Sequence, residues 1–547
     1  RLLLTMAAPP RRTMRARQRR ERGREEAPLF GPALAILAVT MAVPLLYALL
    51  AGDERSARAF LYGGLFTGFA AAISHVALAS RARESSAQTE LASLLVAWAV
   101  IPVFAAIPLV LLTPSIGWVG AWFEMVACFT TTGSTGYTQP STVPDAVHLW
   151  RGIVGWLGGL LTLTAAYVVL APRRMGGFEV TTPTASAAGV ESGEVRLAEL
   201  GARTPPVGDR VRRALRTILP VYSGLTAVLV ILIGSAQPLD LTGVVHVLGI
   251  ISTSGVSPDK PMLPAFDNVA AELIAAVFLL AACTSRLYGR ASRIGREVTL
   301  RRDPELRLMV IIIRLATLGL FLRHWFAAFE LEMSENGVDA LSAFWGILFT
   351  TISFLTTTGY EAAAWEGARA WAGLDNPTLM LLGLAAVGGG AATTAGGIKL
   401  IRAAALIRHG LREIDRLAQP SVVGGSGTGV GAGLRGLVGE GAFLGWAFVM
   451  LYAGAVLIVA FALALTGLAF EPAFIAAVSA VSNTGPVFGF VAQGHESYAL
   501  LDPAQRAVCA AGMILGRMET LAVIALFRRE TLQSLLPSRK TSGKTAN

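Results

Sequence analysis

Four runs of small polar residues end in glycine: Thr130-Thr131-Thr132-Gly133, Ser252-Thr253-Ser254-Gly255, Thr356-Thr357-Thr358-Gly359 and Ser482-Asn483-Thr484-Gly485. Residues of these types at this spacing can replace the water around a monovalent cation. A dehydrated cation needs several oxygen ligands. Backbone carbonyls supply them if the chain is extended and the carbonyls turn inward, and glycine tolerates the φ/ψ this demands. Thr and Ser hydroxyls add further oxygens. The candidate ligand residues are Thr131, Thr132 and Gly133; Thr253, Ser254 and Gly255; Thr357, Thr358 and Gly359; and Asn483, Thr484 and Gly485. A single such run reads most simply as a helix C-cap entering a loop. Four copies at equivalent places make a shared cation filter the better reading.

Two more features belong with these runs. The first is the stretch Gly388-Gly389-Gly390-Ala391-Ala392-Thr393-Thr394-Ala395-Gly396-Gly397-Ile398-Lys399 inside an apolar segment. Each Gly costs a helix about 1 kcal/mol relative to Ala, so the stretch is predicted to break its span near mid-membrane. A gating loop at 388–397 follows, with Gly388, Gly389, Gly390, Gly396, Gly397 and Lys399 as its residues; close helix packing through small residues is the alternative. The second is Arg517, ten residues before Phe527 in the last apolar segment. Ten residues are about 15 Å of helix, a long way for the side chain to snorkel. Intramembrane charges face a cavity or a partner. Arg517 either lines the pathway or pairs with Glu519 or Glu124.

The elements that must position these residues follow from hydropathy. Apolar segments at about 29–51, 57–80 and 90–112 are long enough to span a bilayer. Residues 117–129 are apolar but too short to cross; they end in the first polar run, and a full span follows at about 147–171. A short helix and a polar run between two spans have the form of a re-entrant loop, which survives only inside protein or beside a water-filled cavity. The unit returns three times: 215–235, 240–251 and 268–288; 307–327, 340–355 and a long span from 377; 442–467, 471–481 and 503–527.

Composition agrees. Of 547 residues 54% are hydrophobic and 15% charged, against about 25% charged in soluble domains. The net charge of +10 sits mainly in the tails and in alternate loops, the positive-inside pattern of membrane topology, not a nucleic-acid surface. Cys128, Cys283 and Cys509 are far apart, the six histidines are scattered, and no CxxC, HExxH or GxSxG occurs. Gly431-Ala432-Gly433-Leu434-Arg435-Gly436 fits GxGxxG but lies in a Gly/Ser-rich linker with no preceding strand. Neither a metal centre nor an enzyme is expected.

At these motifs the sequence resembles the TrkH/KtrB superfamily of bacterial K⁺ uptake proteins, over about 29–530. The carriers are FTTTGST (129–135), WRGIVGWLGG (150–159), TTTGY (356–360), GGGAATTAGGIKLIR (388–402), LREIDRLAQP (411–420), SNTGP (482–486) and LGRMETLAVIALF (515–527). The second run departs from the family in having Val256 where an aromatic commonly follows the glycine. The resemblance implies an all-α polytopic membrane protein: two extra N-terminal helices and four M1–P–M2 pore-loop repeats around one pore. It implies filter glycines at Gly133, Gly255, Gly359 and Gly485, the gate loop at 388–397 and a constriction arginine at Arg517. It further implies a homodimer on a ring of cytoplasmic TrkA/KtrA-like nucleotide-binding regulatory subunits, with K⁺ as the transported ion and no cofactor in this chain.

The expected organisation is a basic cytoplasmic tail at 1–28, two transmembrane helices at 29–88, repeat 1 at 89–175, a linker at 176–212, repeat 2 at 213–292, repeat 3 at 293–410, a linker at 411–440, repeat 4 at 441–530 and a tail at 531–547. The expected activity is channel-like K⁺ uptake across the bacterial inner membrane, with both termini cytoplasmic. Na⁺- or H⁺-coupled symport is the alternative.

Overall fold

The computed structural model describes residues 30–79, 87–171, 207–258, 264–266, 268–282, 284, 303–327, 337–373, 377–418, 440–489 and 498–519. The two tails, Cys283, most of the 176–212 linker and the basic clusters at 286–296 and 528–529 lie outside the described residues. Among those described the regular elements are all helical. Six helices are long and apolar enough to cross a membrane: Phe30–Leu50, Glu54–Ala77, Thr89–Leu112, Asp145–Leu170, Val207–Ala236 and Phe443–Leu465. Polarity is inverted relative to a soluble protein. Leu50, Val76, Ile231, Leu315 and Ile458 face outward, while Thr131, Thr253, Thr357 and Thr484 are fully buried. Lipid is the solvent that rewards this arrangement, and the chain is a multi-pass membrane protein.

Four short apolar helices stand apart from the spans: α1 (Gly117–Phe129), α2 (Leu241–Ser252), α3 (Gly337–Leu355) and α4 (Phe470–Ser482). Each is followed by an inner helix: α5 (Asp145–Ala165), α6 (Val269–Ala282), α7 (Thr378–Val387) and α8 (Pro503–Met518). Each inner helix packs on the short helix of the next unit: α5 on α2, α6 on α3, α7 on α4, and α8 back on α1. The last contact closes a ring.

Local chemistry sets several helix ends. Asp240 accepts from the Gly243 amide at 2.7 Å and starts α2. Asp502 and Gln505 form a capping box with Pro503 at the first turn of α8, a strong start signal. Three boundaries differ from those expected. The helix Val207–Ala236 begins well before residue 215, because Arg210 pairs with Glu90 at 2.5 Å and donates to the Val168 carbonyl at 2.8 Å. Past the glycine-rich stretch, the helix Leu400–Ala418 continues beyond residue 410. The last described helix ends at Met518, inside the expected 503–527 span: Glu519 takes φ 56° as its carboxylate pairs with Arg402 at 2.7 Å, and residues 520–527 lie outside the described residues.

Candidate functional site

The four polar runs form loops 1 to 4 at the C-termini of α1 to α4, and they share one backbone device. Thr131, Thr253, Thr357 and Asn483 take left-handed φ of 53°, 52°, 60° and 55°. Their amides bond to the carbonyls of Cys128, Ile250, Phe354 and Ala480, and the following amides reach back to Ala127, Gly249, Ser353 and Ser479. This is the Schellman closure, in which the left-handed position is usually glycine. Threonine there is β-branched and strained, at about 1–3 kcal/mol per residue. The strain persists because each of these side chains is engaged. Thr253 donates its hydroxyl to Thr394 at 3.1 Å. Thr357 Oγ1 accepts the Gly396 amide at 2.8 Å. Asn483 donates to Thr132 Oγ1 at 3.0 Å and to the Met513 carbonyl at 2.9 Å. The Thr131 hydroxyl accepts from Arg517.

The glycines bring the loops together. A methyl group at Gly133 would overlap the Ser254 carbonyl, at Gly255 the Thr358 carbonyl, at Gly359 the Pro486 ring, and at Gly485 the Ser134 backbone of loop 1. Each loop therefore abuts the next, and the fourth abuts the first. Gly133, Gly255 and Gly359 have φ of 76°, 61° and 85°. Gly485 does not share this conformation. Its amide donates to the Thr132 carbonyl at 2.6 Å, and Pro486 begins a one-turn helix (Pro486–Gly489). In loop 4 the Ser479 hydroxyl also draws in the Thr484 carbonyl at 2.7 Å. Loops 1 to 3 carry paired hydroxyls flanking the strained threonine: Thr130–Thr132 at 2.8 Å, Ser252–Ser254 at 2.9 Å and Thr356–Thr358 at 3.0 Å.

The glycine-rich stretch lies against the strained residues. It leaves α7 at Gly388 (φ 70°) and rejoins a helix at Leu400. Its ends are tied by amides of Ile398, Lys399 and Leu400 to carbonyls of Ala386, Val387 and Gly389, at 2.9 to 3.0 Å. Gly390 accepts the Thr393 hydroxyl at 2.7 Å, and Lys399 caps the Ala395 carbonyl. Gly396 leaves no room for a side chain against the Ser482 carbonyl of loop 4. Glu305 accepts the Ala391 amide at 2.8 Å and anchors the stretch from behind.

Arg517, 8% exposed, joins loop 1 to this stretch: it donates to the Thr130 carbonyl and to the Thr394 carbonyl, the latter at 2.6 Å. It is not the partner of Glu519 or Glu124. Glu519 pairs with Arg402, and Glu124 with Arg151 at 2.6 Å. Two electrostatic features therefore meet: four helix C-termini, each with partial negative charge, and one buried guanidinium. No cluster of His, Cys, Asp or Glu able to hold a metal occurs among the described residues.

The polar runs carry no local mark of the strained threonine conformation, and the roles of Arg151, Glu272 and Glu305 emerge from contacts between distant segments. Glu272, fully buried in α6, accepts from Trp345 at 2.5 Å and from the Ala363 amide beyond loop 3 at 2.6 Å. A lone charge inside an apolar segment is itself a signal, and Glu272 and Arg151 both carry it.

Comparison with known proteins converges. The TrkH family model, described as a cation transport protein, matches residues 274–539. The Trk system potassium uptake protein TrkI of Halomonas elongata is 29% identical over 440 residues, 78% of this chain and 81% of its own length. TrkH of Vibrio parahaemolyticus is 27% identical over 502 residues, 91% of this chain and 97% of its own. The crystal structure of the potassium transporter TrkH from Vibrio parahaemolyticus superposes with a TM-score of 0.72 at 22% identity, covering 92% of this chain and 98% of that one. The ring of loops thus belongs to a fold shared with that transporter, and residues 274–539 carry the match to the TrkH family of cation transport proteins.

Proposed function

We propose that the chain mediates K⁺ uptake through a channel-like pore, with loops 1 to 4 as the selectivity filter. The observation that carries this reading is the cyclic packing of the four loops, each glycine against the next loop and the fourth against the first. Carbonyl and hydroxyl oxygens on four sides of one axis suit a dehydrated monovalent cation. The relatives named potassium uptake proteins point to K⁺ as that cation. The glycine-rich stretch acts as the gate, and Arg517 raises the barrier beneath the filter. The tie from Arg517 to both Thr130 and Thr394 supports a closed gate. Loop 4 contributes least to the filter, since its Thr484 carbonyl is drawn back to Ser479.

The uncoupled pore is favoured over Na⁺- or H⁺-coupled symport by the state of three intramembrane carboxylates. Glu124 and Glu519 are each neutralised by an arginine, and Glu272 is held by Trp345 and the Ala363 amide. In the same reading the protein lies in the bacterial inner membrane with both termini cytoplasmic. It works as a homodimer with a separate nucleotide-binding regulatory subunit, as the Trk system names of its relatives suggest.

Tracer flux into proteoliposomes holding the purified chain tests this. K⁺ should accumulate with no Na⁺ or pH gradient present, and Gly359→Ser, which forces a side chain onto Pro486, should abolish it. Uptake that needs Na⁺ or a proton gradient would show the symport reading to be right. Unchanged flux in Gly359→Ser would remove the filter.

A further inference from the structure

Two charged side chains lie behind the filter and are not among its proposed ligand residues. Glu124 sits on α1 and Arg151 on α5, with side chains 0% and 1% exposed and Nε to Oε1 at 2.6 Å. Each also holds a strand. Glu124 Oε2 accepts the Gly136 amide at 2.7 Å, with the Thr135 hydroxyl at 3.5 Å. Arg151 donates to the Ser257 carbonyl at 2.8 Å and to Nδ1 of His148 at 3.1 Å. His148 in turn donates from Nε2 to the Pro140 carbonyl at 2.9 Å, which fixes its tautomer.

Gly136 is three residues past the filter glycine of loop 1, and Ser257 is two past that of loop 2. The pair therefore ties two neighbouring strands together just beyond their glycines. Loop 2 is held there by two further groups. The Tyr360 hydroxyl donates to the Val256 carbonyl at 2.8 Å, and His246 Nε2 lies 3.1 Å from the Ser257 hydroxyl. Tyr360 thus supports from loop 3 the strand in which Val256 stands in place of an aromatic.

A buried ion pair is a poor source of stability compared with apolar packing. Its rigid fork, however, fixes distances that apolar contacts do not. Groups one step removed from a bound cation commonly tune its affinity by 10- to 100-fold. A filter that ranks cations differing chiefly in size is sensitive to the separation of its strands.

We propose that Glu124 and Arg151 are positioning residues that set the spacing of loops 1 and 2, and with it the preference for K⁺ over Na⁺. The proposal rests on the filter reading above. The test is the bi-ionic reversal potential of the full chain in planar bilayers, with K⁺ on one side and Na⁺ on the other. Glu124→Gln keeps the shape and removes the charge. Arg151→Lys keeps the charge but lacks the planar fork whose separate nitrogens reach Glu124 and Ser257. Both variants should still pass K⁺, with the K⁺-over-Na⁺ preference reduced roughly tenfold or more. Glu90→Gln, which breaks the ion pair with Arg210 away from the loops, should keep the wild-type ratio.

Three results would overturn the proposal: folded variants with an unchanged ratio, failure of both variants to fold (a purely structural strut), or a wild-type protein that passes K⁺ and Na⁺ alike. A wild-type protein that passes neither ion would instead remove the filter reading itself.

Discussion

Thr131, Thr253 and Thr357 hold a backbone conformation that threonine avoids. Their hydroxyls explain how it is maintained, since each meets a group from another part of the chain. Thr357→Ser keeps the hydroxyl that receives the Gly396 amide and should lose no more than about 1 kcal/mol, the worth of one buried methyl group. Thr357→Val keeps the branched strain and leaves that buried amide unpaired, so it should lose about 1–3 kcal/mol. Thermal unfolding of the purified protein in detergent measures both. The sequence made the glycines and hydroxyls legible as a repeated pattern. It did not reveal the strain, because local preference argues against threonine there and the forces that impose it come from residues such as Thr394 and Arg517. Arg517 itself was conspicuous as a charge in an apolar helix. Its partners were not, because the nearby Glu519 is drawn away by Arg402.

Arg402 also explains how two elements stay in register. It lies at the start of the helix Leu400–Ala418, stacks on Phe448 at 3.7 Å, donates to the Ile398 carbonyl at 3.1 Å and pairs with Glu519 just past α8. The far end of the glycine-rich stretch is thereby pinned to the last inner helix. Glu519→Gln weakens this pin by removing one charge-assisted hydrogen bond to a buried guanidinium, at a cost of about 1.5–3 kcal/mol. It should lower the unfolding temperature and raise resting K⁺ flux in proteoliposomes; lower stability with unchanged flux would separate the pin from gating. Hydropathy located the spans, the short helices and the break after residue 387. It placed the start of the fifth span too late, since the start at Val207 depends on an ion pair between distant segments.

At the scale of the molecule, the inner helices and the loops close the same ring. On the proposed function, uptake is driven by the membrane potential, which is worth about 2.3 kcal/mol per charge per 100 mV. Imposing 100 mV, negative inside, should change the equilibrium K⁺ ratio about 50-fold, and accumulation in proteoliposomes should follow the imposed potential without saturating early. Repetition along the chain made the four polar runs legible. It could not give their order around the axis or the unlike fourth loop, because both depend on which carbonyl faces which neighbour. The closing contact runs from the Gly485 amide to the Thr132 carbonyl, joining segments more than three hundred residues apart. During synthesis the first three units enter the membrane while this seam is still open. A ribosome that stalls before the last unit therefore leaves an unsealed arc, in which loops 1 and 3 each lack the neighbour that loop 4 supplies.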